Sequence, residues 1–295
     1  MARPGDRSAR AIDRAARDAL REDRARHDRT TRAVLPRPVP ARARVIAQAP
    51  GVLSGMPMAT AAARSVGLAA VALRPDGARV RPGTVVLRLA GDARDILRVE
   101  RTLLNILMHA SGVATATSRA VRNARGARRP LEVWGTRKTL PGLRDLEKAA
   151  IAHGGGAPHR RDLSDAYLIK NNHLALVPLS EAIRRVRARA GARERIQVEV
   201  GTVRAAIAAA RAGADALLLD NVAPARARQI VDALAAAGLR EGRWIELSGG
   251  IVPETVRRYR SVGADAVSLG ALTHSAAALP FHLRLDPVRL RERVG

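Results

Sequence analysis

The sequence predicts two unlike domains: a small α+β domain first, then a parallel α/β domain whose strands are either closed into a barrel or doubly wound. Three observations predict it. From about residue 131, short β-branched or leucine-rich runs recur: L-E-V-W near 131, A-Y-L-I near 166, I-Q-V-E-V near 196, A-L-L-L near 216, W-I-E-L near 244 and A-V-S-L near 266. Helical or Gly-rich segments separate them, which is the rhythm of buried parallel strands. Before residue 131 strands and helices occur without that rhythm. Between the two regions runs one long helical stretch, about Asp92 to Arg122.

Taken in order, Ala9 to Arg26 reads as a helix, with Ile12, Ala16 and Leu20 four apart on one face and charges elsewhere. His27 to Thr31 (H-D-R-T-T) reads as a polar break. From Val34 to Ala49 apolar and polar residues alternate after several prolines, which predicts edge strands. Gly51 to Gly55 reads as a turn and Met58 to Val66 as a short helix. Val80 to Leu89 reads as a hairpin around Pro82-Gly83. In the long helix Leu97, Leu104, Leu107 and Met108 contribute an apolar stripe. Gly112 and two threonines are expected to loosen its middle, and Gly126 with Pro130 to end it. Gly213-Ala214-Asp215-Ala216 and Gly263-Ala264-Asp265-Ala266 each precede a strand, a faint internal repeat.

A chain of 295 residues is long enough for a barrel or two domains. Its core must be aliphatic, because only Trp134, Tyr167, Trp244, Tyr259 and Phe281 are aromatic. With no cysteine, disulfides, thiolate nucleophiles and Cys-bound metals are excluded. No apolar run approaches the roughly 20 residues of a membrane span, and the first residues show no apolar stretch of a secretory signal. An intracellular, cytoplasmic protein is expected. The net charge of +25 invites a nucleic-acid reading. Against it, the arginines are dispersed through helical segments, and the aromatics that would stack single strands are nearly absent.

Of 52 basic residues only Lys138, Lys148 and Lys170 are lysine, all between Trp134 and His173. Where arginine replaces lysine this thoroughly, a surviving lysine points to a need for a compact, rotatable ammonium. Lys138 and Lys170 follow β-like runs in polar company. Lys148, within L-E-K-A-A, is expected to be an exposed helix residue. Polar residues stand at the end of every strand of the second domain. They are Thr136, Arg137 and Lys138, then Lys170 to His173, Glu199, Asp220 and Asn221, Ser248 to Gly250, and Gly270 with His274 nearby. In an α/β barrel such ends meet at the C-terminal mouth, where active sites lie. Arg137, Lys138, Lys170, Arg160 and Arg161 would then be fixed cations for a substrate with more than one negative group. The glycine turns at 248–250 and 270–271 are ordinary tight turns or, together, a phosphate cradle. Glu199 and Asp220 suit Mg²⁺ held jointly with substrate phosphates, or hydrogen bonds to sugar hydroxyls; Glu199 alone also reads as a strand-end salt bridge. His159, between Gly154-Gly155-Gly156 and Arg160-Arg161, reads as a ligand contact beside a backbone free to fold closely.

These residues resemble the quinolinate phosphoribosyltransferases, also called carboxylating nicotinate-nucleotide pyrophosphorylases, over nearly the whole chain. The resemblance rests on Glu100-Arg101-Thr102 with Asn105, Ser111-Gly112-Val113-Ala114-Thr115, and Thr136-Arg137-Lys138-Thr139 with Pro141-Gly142-Leu143-Arg144. It continues through Gly154-Gly155-Gly156 with His159-Arg160, Leu168-Ile169-Lys170 with Asn172-His173, and Val198-Glu199-Val200. It closes with Gly213-Ala214-Asp215, Leu219-Asp220-Asn221, Ser248-Gly249-Gly250-Ile251 and Gly270 to Ser275. It implies an N-terminal α/β sandwich over 1–112 completed by 276–295, and an α/β barrel of about seven strands over 113–275, as in type II phosphoribosyltransferases. It implies a homodimer with shared sites, Mg²⁺, and transfer from phosphoribosyl pyrophosphate to quinolinate, giving nicotinate mononucleotide, pyrophosphate and CO₂. By the same resemblance Arg137, His159, Arg160 and Lys170 hold quinolinate, with Arg101 lent by the other subunit and Thr136 beside them. Lys138, Glu199, Asp220, Ser248, Gly249, Gly250, Gly270 and His274 hold the sugar phosphate. Lys138, Glu199 and Asp220 are the expected catalytic groups, the two carboxylates also the metal ligands.

Four positions depart from the family pattern. Gly135 and Asn171 stand where aspartate is common, Gly201 replaces an acid, and His27 replaces a glycine. The competing readings are a molybdenum-transport-associated paralogue acting on another aromatic acid, and a basic nucleic-acid-binding protein reusing the barrel.

Overall fold

The computed structural model describes residues 4–126 and 131–287. The chain divides into two compact units, Met1–Thr115 with Ala276–Gly295, and Ala116–Ser275. In chain order the elements are α1 (Pro4–Glu22), α2 (Arg29–Val34), β1 (Pro40–Ala47), β2 (Gly51–Val52), α3 (Met56–Ser65), β3 (Ala69–Ala72), β4 (Arg79–Val80), β5 (Val85–Asp92) and α4 (Ala93–Ala124). Then come β6 (Glu132–Trp134), α5 (Arg144–His153), β7 (Tyr167–Ile169), α6 (Asn171–Leu174), α7 (Leu179–Arg187), β8 (Ile196–Val200), α8 (Val203–Arg211) and β9 (Ala216–Asp220). They close with α9 (Pro224–Ala236), β10 (Trp244–Ser248), β11 (Ala266–Ser268), α10 (Ala271–His274) and β12 (Phe281–Pro287).

The first unit is built on an antiparallel sheet of order β12-β1-β5-β3. Strand β1 alternates buried and more exposed residues, as its pattern predicts, but it is central rather than an edge. The strand that covers its other side comes from the C-terminal tail, which no local pattern could reveal. Pro40 is its first residue, a strand position that tolerates proline. The expected 80–89 hairpin is absent: β4 pairs with β2, and β5 pairs with β1 and β3. The Pro82-Gly83 turn is real, with Thr84 N–H donating to Arg81 C=O (3.0 Å), but it passes the chain from one sheet to another. The expected polar break at 27–31 is the capped start of α2. Asp28 accepts from Thr31 N–H at 2.9 Å and from its hydroxyl, which holds the carboxyl below its ordinary value.

Helix α4 runs unbroken through Gly112; Pro130 lies outside the described residues. The residues expected to loosen it are contact points. Ser111 Oγ accepts from Ser54 N–H (3.0 Å) and donates to Ser54 C=O (3.2 Å), and Thr115 Oγ1 accepts from Val52 N–H (2.9 Å). A Cβ on Gly112 would lie 2.3 Å from the Ala277 carbonyl oxygen, so only glycine lets that segment approach.

The second unit carries a parallel sheet of order β6-β11-β10-β9-β8-β7. It has six strands among the described residues where about seven are expected; a lone bridge between Trp134 and Ala157 adds a segment beside β6. One face is aliphatic. Val133, Ile169, Val198, Leu217, Leu219, Ile245, Leu247 and Val267 share a core with Ile183, Ala206, Ala209, Ile230 and Leu234 of the helices. The register puts Gln197, Glu199, Asp220, Trp244, Glu246, Ser248 and Ser268 on the opposite face. The sheet curls around that polar face. Trp134 of β6 stands 5.5 Å from Trp244 of β10, and both edge strands line one cavity of about 500 Å³.

The repeat Gly-Ala-Asp-Ala is a latch used twice. Asp215 Oδ2 accepts from Ile196 N–H (2.8 Å) and from Arg187 (2.6 Å). Asp265 Oδ2 accepts from Ile245 N–H (2.7 Å) and both its oxygens from Arg240 (2.9 Å). Each aspartate fastens the N-terminal end of a strand to its neighbour and to an arginine, Arg187 at the end of α7 or Arg240 in the loop after α9. Gly213 and Gly263, with φ of 95° and 84°, make the turn that delivers it.

Candidate active site at the strand tips

At the C-terminal ends of the strands the tips meet in pairs. The β6 and β11 tips meet through Lys138. Its backbone carbonyl accepts from Thr273 Oγ1 (2.7 Å), and its side chain passes over Gly270. A Cβ on Gly270 would lie 2.8 Å from Lys138 Cδ and 2.9 Å from His274 Nε2, so glycine here is what lets the cation and the histidine share one place. Thr136 Oγ1 accepts from Lys138 N–H (3.0 Å) and shapes the loop.

The β7 and β8 tips meet through Glu199, whose side chain is only 10% exposed. Its Oε1 accepts from Asn171 Nδ2 (2.6 Å), and its Oε2 stands 4.0 Å from Lys170 Nζ. Asn171 is one of the departures noted above. An aspartate there would set a second carboxylate against Glu199, whereas the amide donates to it.

The β9 and β10 tips meet through Asn221. Its N–H donates to Ser248 C=O (2.9 Å) and its Nδ2 to Asp220 Oδ2 (2.9 Å), at a backbone φ of 54°. A Cβ on Gly249 (φ 86°) would fall 2.3 Å from Asn221 Oδ1, so Gly249 and Asn221 fit only as a pair. Gly250 (φ 59°) completes the turn. Glu199 and Asp220 lie on the same face of neighbouring strands, because Glu199 pairs with Leu218, two residues before Asp220.

The remaining candidates lie in the loops that complete this end. Arg137 Nε is buried with no hydrogen-bond partner among the described residues. Arg160 Nη1 donates to Ala166 C=O (3.0 Å); burial, then the nearby Arg137, lowers its guanidinium below the ordinary value. Arg161 is engaged with Asp145 through Nε (2.9 Å) and Nη2 (2.8 Å). Arg101 is exposed on α4, in the other unit.

His159 lines the same cavity as Arg160. Its Nδ1 accepts from Arg160 N–H (2.6 Å), which puts a neutral ring's proton on Nε2, and Nε2 stands 3.3 Å from Glu246 Oε1. Its ring meets Trp134 edge-on at 5.1 Å. Nδ1 is engaged, whereas Nε2 faces Glu246 Oε1, which has no hydrogen-bond partner among the described residues. Glu246 is 1% exposed. Burial would push its carboxyl up, but His159, Ser268 and Gln197 more than offset this and hold it below the ordinary value. Sequence reasoning missed Glu246. The available signal was a carboxylate between Ile245 and Leu247 in a strand taken to be buried on both faces.

Lys148 differs from the expected exposed helix residue. It is 7% exposed, and its ammonium donates to the carbonyls of Pro158 and, at 3.2 Å, His159. Its neighbour Glu147 is fully buried and accepts from Leu140 N–H (3.1 Å). At another departure, Gly135, a Cβ would lie 2.5 Å from Ile151 Cδ1, the tip of a side chain that would have to shift.

Known proteins resemble this chain along nearly its whole length. Residues 28–111 match the N-terminal domain and residues 113–284 the C-terminal domain of quinolinate phosphoribosyl transferase. The probable nicotinate-nucleotide pyrophosphorylase [carboxylating] of Methanothermobacter thermautotrophicus is 39% identical over 92% of this chain and 96% of its own length. The human nicotinate-nucleotide pyrophosphorylase [carboxylating] is 36% identical over 83% and 82%. The crystal structure of NadC from Streptococcus pyogenes superposes with a TM-score of 0.85 at 37% identity, covering 94% of this chain and 97% of that one. In sequence and in fold, this chain belongs to the quinolinate phosphoribosyltransferase family.

Proposed function

We propose that this chain transfers the phosphoribosyl group of phosphoribosyl pyrophosphate to the ring nitrogen of quinolinate and then releases CO₂, giving nicotinate mononucleotide and pyrophosphate in NAD biosynthesis. The observation that carries the reading is the pairing of tips at one end of the sheet, in a chain whose relatives bear that activity in their names. Breaking the anomeric C–O bond leaves positive charge on the ribose and sends the electron pair to pyrophosphate. Lys138, poised over Gly270, is the point charge for that leaving group, and Ser248, Gly249, Gly250, Gly270 and His274 seat the phosphates. Glu199 and Asp220 face the cationic sugar. The pyridine nitrogen uses its lone pair to form the new bond to the anomeric carbon. The adjacent carboxylate then departs as CO₂, its bonding pair drawn into the now positive ring, whose carbon takes up a proton. Arg137, Arg160 and Lys170, with Thr136, hold the two carboxylates so that the nitrogen faces the sugar. His159 serves this set by holding the backbone from which Arg160 projects.

Mg²⁺ belongs to this proposal. No group of three His, Cys, Asp or Glu side chains suited to a metal occurs among the described residues. What is present fits an ion held mainly by substrate phosphates: two hard carboxylate donors on neighbouring strands, with Asp220 Oδ1 free of hydrogen bonds among the described residues. Asp220 and Glu199 would hold it, and it would neutralise charge on the leaving pyrophosphate. A homodimer, with Arg101 serving the site of the second copy, and a cytoplasmic location complete the proposal.

The test is turnover. Purified protein given quinolinate, phosphoribosyl pyrophosphate and Mg²⁺ should release CO₂ and form nicotinate mononucleotide in equal amounts. Folded protein that makes no product from quinolinate, or that prefers another aromatic acid in a panel including nicotinate, would overturn the reading.

A further inference from the structure

Helix α5 touches both loops that carry the proposed quinolinate contacts, and does so through adjacent residues. Glu147 accepts from Leu140 N–H, in the loop that begins with Thr136-Arg137-Lys138. Lys148 donates to the carbonyls of Pro158 and His159, at the corner from which Arg160 emerges. That corner is not a relaxed backbone. His159 has φ of 57°, a left-handed conformation that costs a non-glycine residue free energy and persists only where its surroundings enforce it. Three contacts enforce it here: Lys148 on the two carbonyls, Arg160 N–H on His159 Nδ1, and Glu246 facing Nε2. Of these, Lys148 alone holds the main chain from a separate helix.

We propose that Lys148 is a positioning residue for binding of the pyridine dicarboxylate: held on the Pro158 and His159 carbonyls, its ammonium fixes the strained corner that presents Arg160. This rests on the function proposed above. It also explains why a chain that writes arginine almost everywhere keeps lysine here. A single buried nitrogen with three rotatable donors can meet two carbonyls from one helix position, and a planar fork cannot.

The clamp is sensitive to pH. Burial, followed by Arg144 of its own helix, lowers the Lys148 pKa to about 8 from 10.5; Arg137 from the loop after β6 and Arg161 act in the same direction, and Asp165 opposes them. Below about pH 8 the clamp is a charge-assisted donor, and above it a weaker neutral one. A substrate dianion seated among Arg137 and Arg160 would favour the proton, so substrate binding and protonation of Lys148 reinforce each other.

Two measurements test this. The first is the steady-state KM for quinolinate and kcat from about pH 6.5 to 9.5, in wild type and Lys148→Met. Wild type should lose affinity above about pH 8 at nearly constant kcat. At pH 7 Lys148→Met should raise the quinolinate KM about tenfold or more, change kcat and the KM for phosphoribosyl pyrophosphate less than about threefold, and lose the alkaline rise in KM. The second is NMR titration of ¹³C-lysine-labelled wild type, which needs neither turnover nor a stable Lys148 variant. Three lysines give three side-chain signals, and Lys138→Ala and Lys170→Ala assign the third by elimination. Its midpoint should lie near 8 and rise by about one unit or more when quinolinate is bound. A midpoint that quinolinate leaves in place, or a Lys148→Met enzyme with wild-type KM, would overturn the proposal. Wild type that binds quinolinate and shifts that midpoint without turnover would instead count against the reaction.

Discussion

At the N-terminal ends of the parallel strands, Asp215 and Asp265 are each engaged by a strand N–H and by an arginine. At the C-terminal ends, Glu199 and Asp220 have neutral amide donors, Asn171 and Asn221, and the nearest cation to Glu199, Lys170, stops at 4.0 Å. The same residue types thus close one end of the sheet and are held ready at the other. A carboxylate whose charge is already met by an arginine has little left to offer a substrate or an ion. One held by an amide keeps its charge and much of its lone-pair capacity. Glycine divides in the same way. Gly213 and Gly263 turn the chain between elements, whereas Gly249 and Gly270 remove side chains that would collide with Asn221 and Lys138. In α/β barrels one end serves stability and the other chemistry, and here the bonding state of the carboxylates shows which is which.

The comparison is broken most sharply by one substitution at each end. Lys138→Ala should lower kcat by about 10²- to 10³-fold, the usual cost of removing one preorganised stabiliser of transition-state charge. The thermal midpoint should stay within about 2 °C, because the exposed side chain supports nothing else. Asp265→Ala should do the reverse. Its partner Arg240 is 10% exposed at the side chain, so losing the carboxylate strands a buried cation and the Ile245 N–H at a cost of about 3 kcal/mol. Specific activity of the folded fraction should hold. Chemical denaturation and steady-state kinetics on both proteins read the two effects separately. A large kinetic loss in Asp265→Ala, with stability unchanged, would erase the distinction between the ends.

Much of the tip region is legible in sequence because each β-run there is short, aliphatic and followed at once by a polar residue. Six such runs in order imply a common end. The polar face of the sheet is not legible in this way. Gln197, Glu199, Glu246 and Ser268 alternate with aliphatic residues inside runs that read as fully buried strands, and only the curl of the sheet makes that alternation a polar face. Lys148 reads as exposed for a related reason. In a helix rich in alanine and charge, nothing local says which charged residue turns inward, and its partners, the carbonyls at 158 and 159, depend on a loop that has no periodicity. In the first unit the failures are long-range. β1 looks like an edge until residues 281–287 arrive beside it, and β4 looks like half a hairpin until β2 claims it.

Asn171 sharpens the comparison from within the functional end. Restoring the commoner acid with Asn171→Asp would replace the 2.6 Å amide donor to Glu199 by a second carboxylate. Two carboxylates at that distance hold a proton between them more readily than either alone. The variant should therefore lose roughly tenfold in kcat/KM towards acid pH and recover towards alkaline pH, as the pair ionises. A profile parallel to wild type would mean that Lys170 already neutralises the difference.

The smallest effect tests whether burial, rather than the motif, sets the strength of a latch. Arg187 and Arg240 each reach their aspartate through Nη2, but the Arg187–Asp215 pair is 43% and 37% exposed at the side chains, against 10% and 16% for Arg240–Asp265. An exposed pair is screened by water and salt, and its contribution falls to about 0–1 kcal/mol. Arg187→Met should therefore lower the thermal midpoint by only about 1–3 °C, and less still at high salt. Arg240→Met should cost several times more, nearly independent of salt, because it leaves Asp265 charged in a largely enclosed place. Equal losses in the two variants would mean that the hydrogen bonds to the strand N–H groups, common to both latches, carry the stability and that the arginines are incidental.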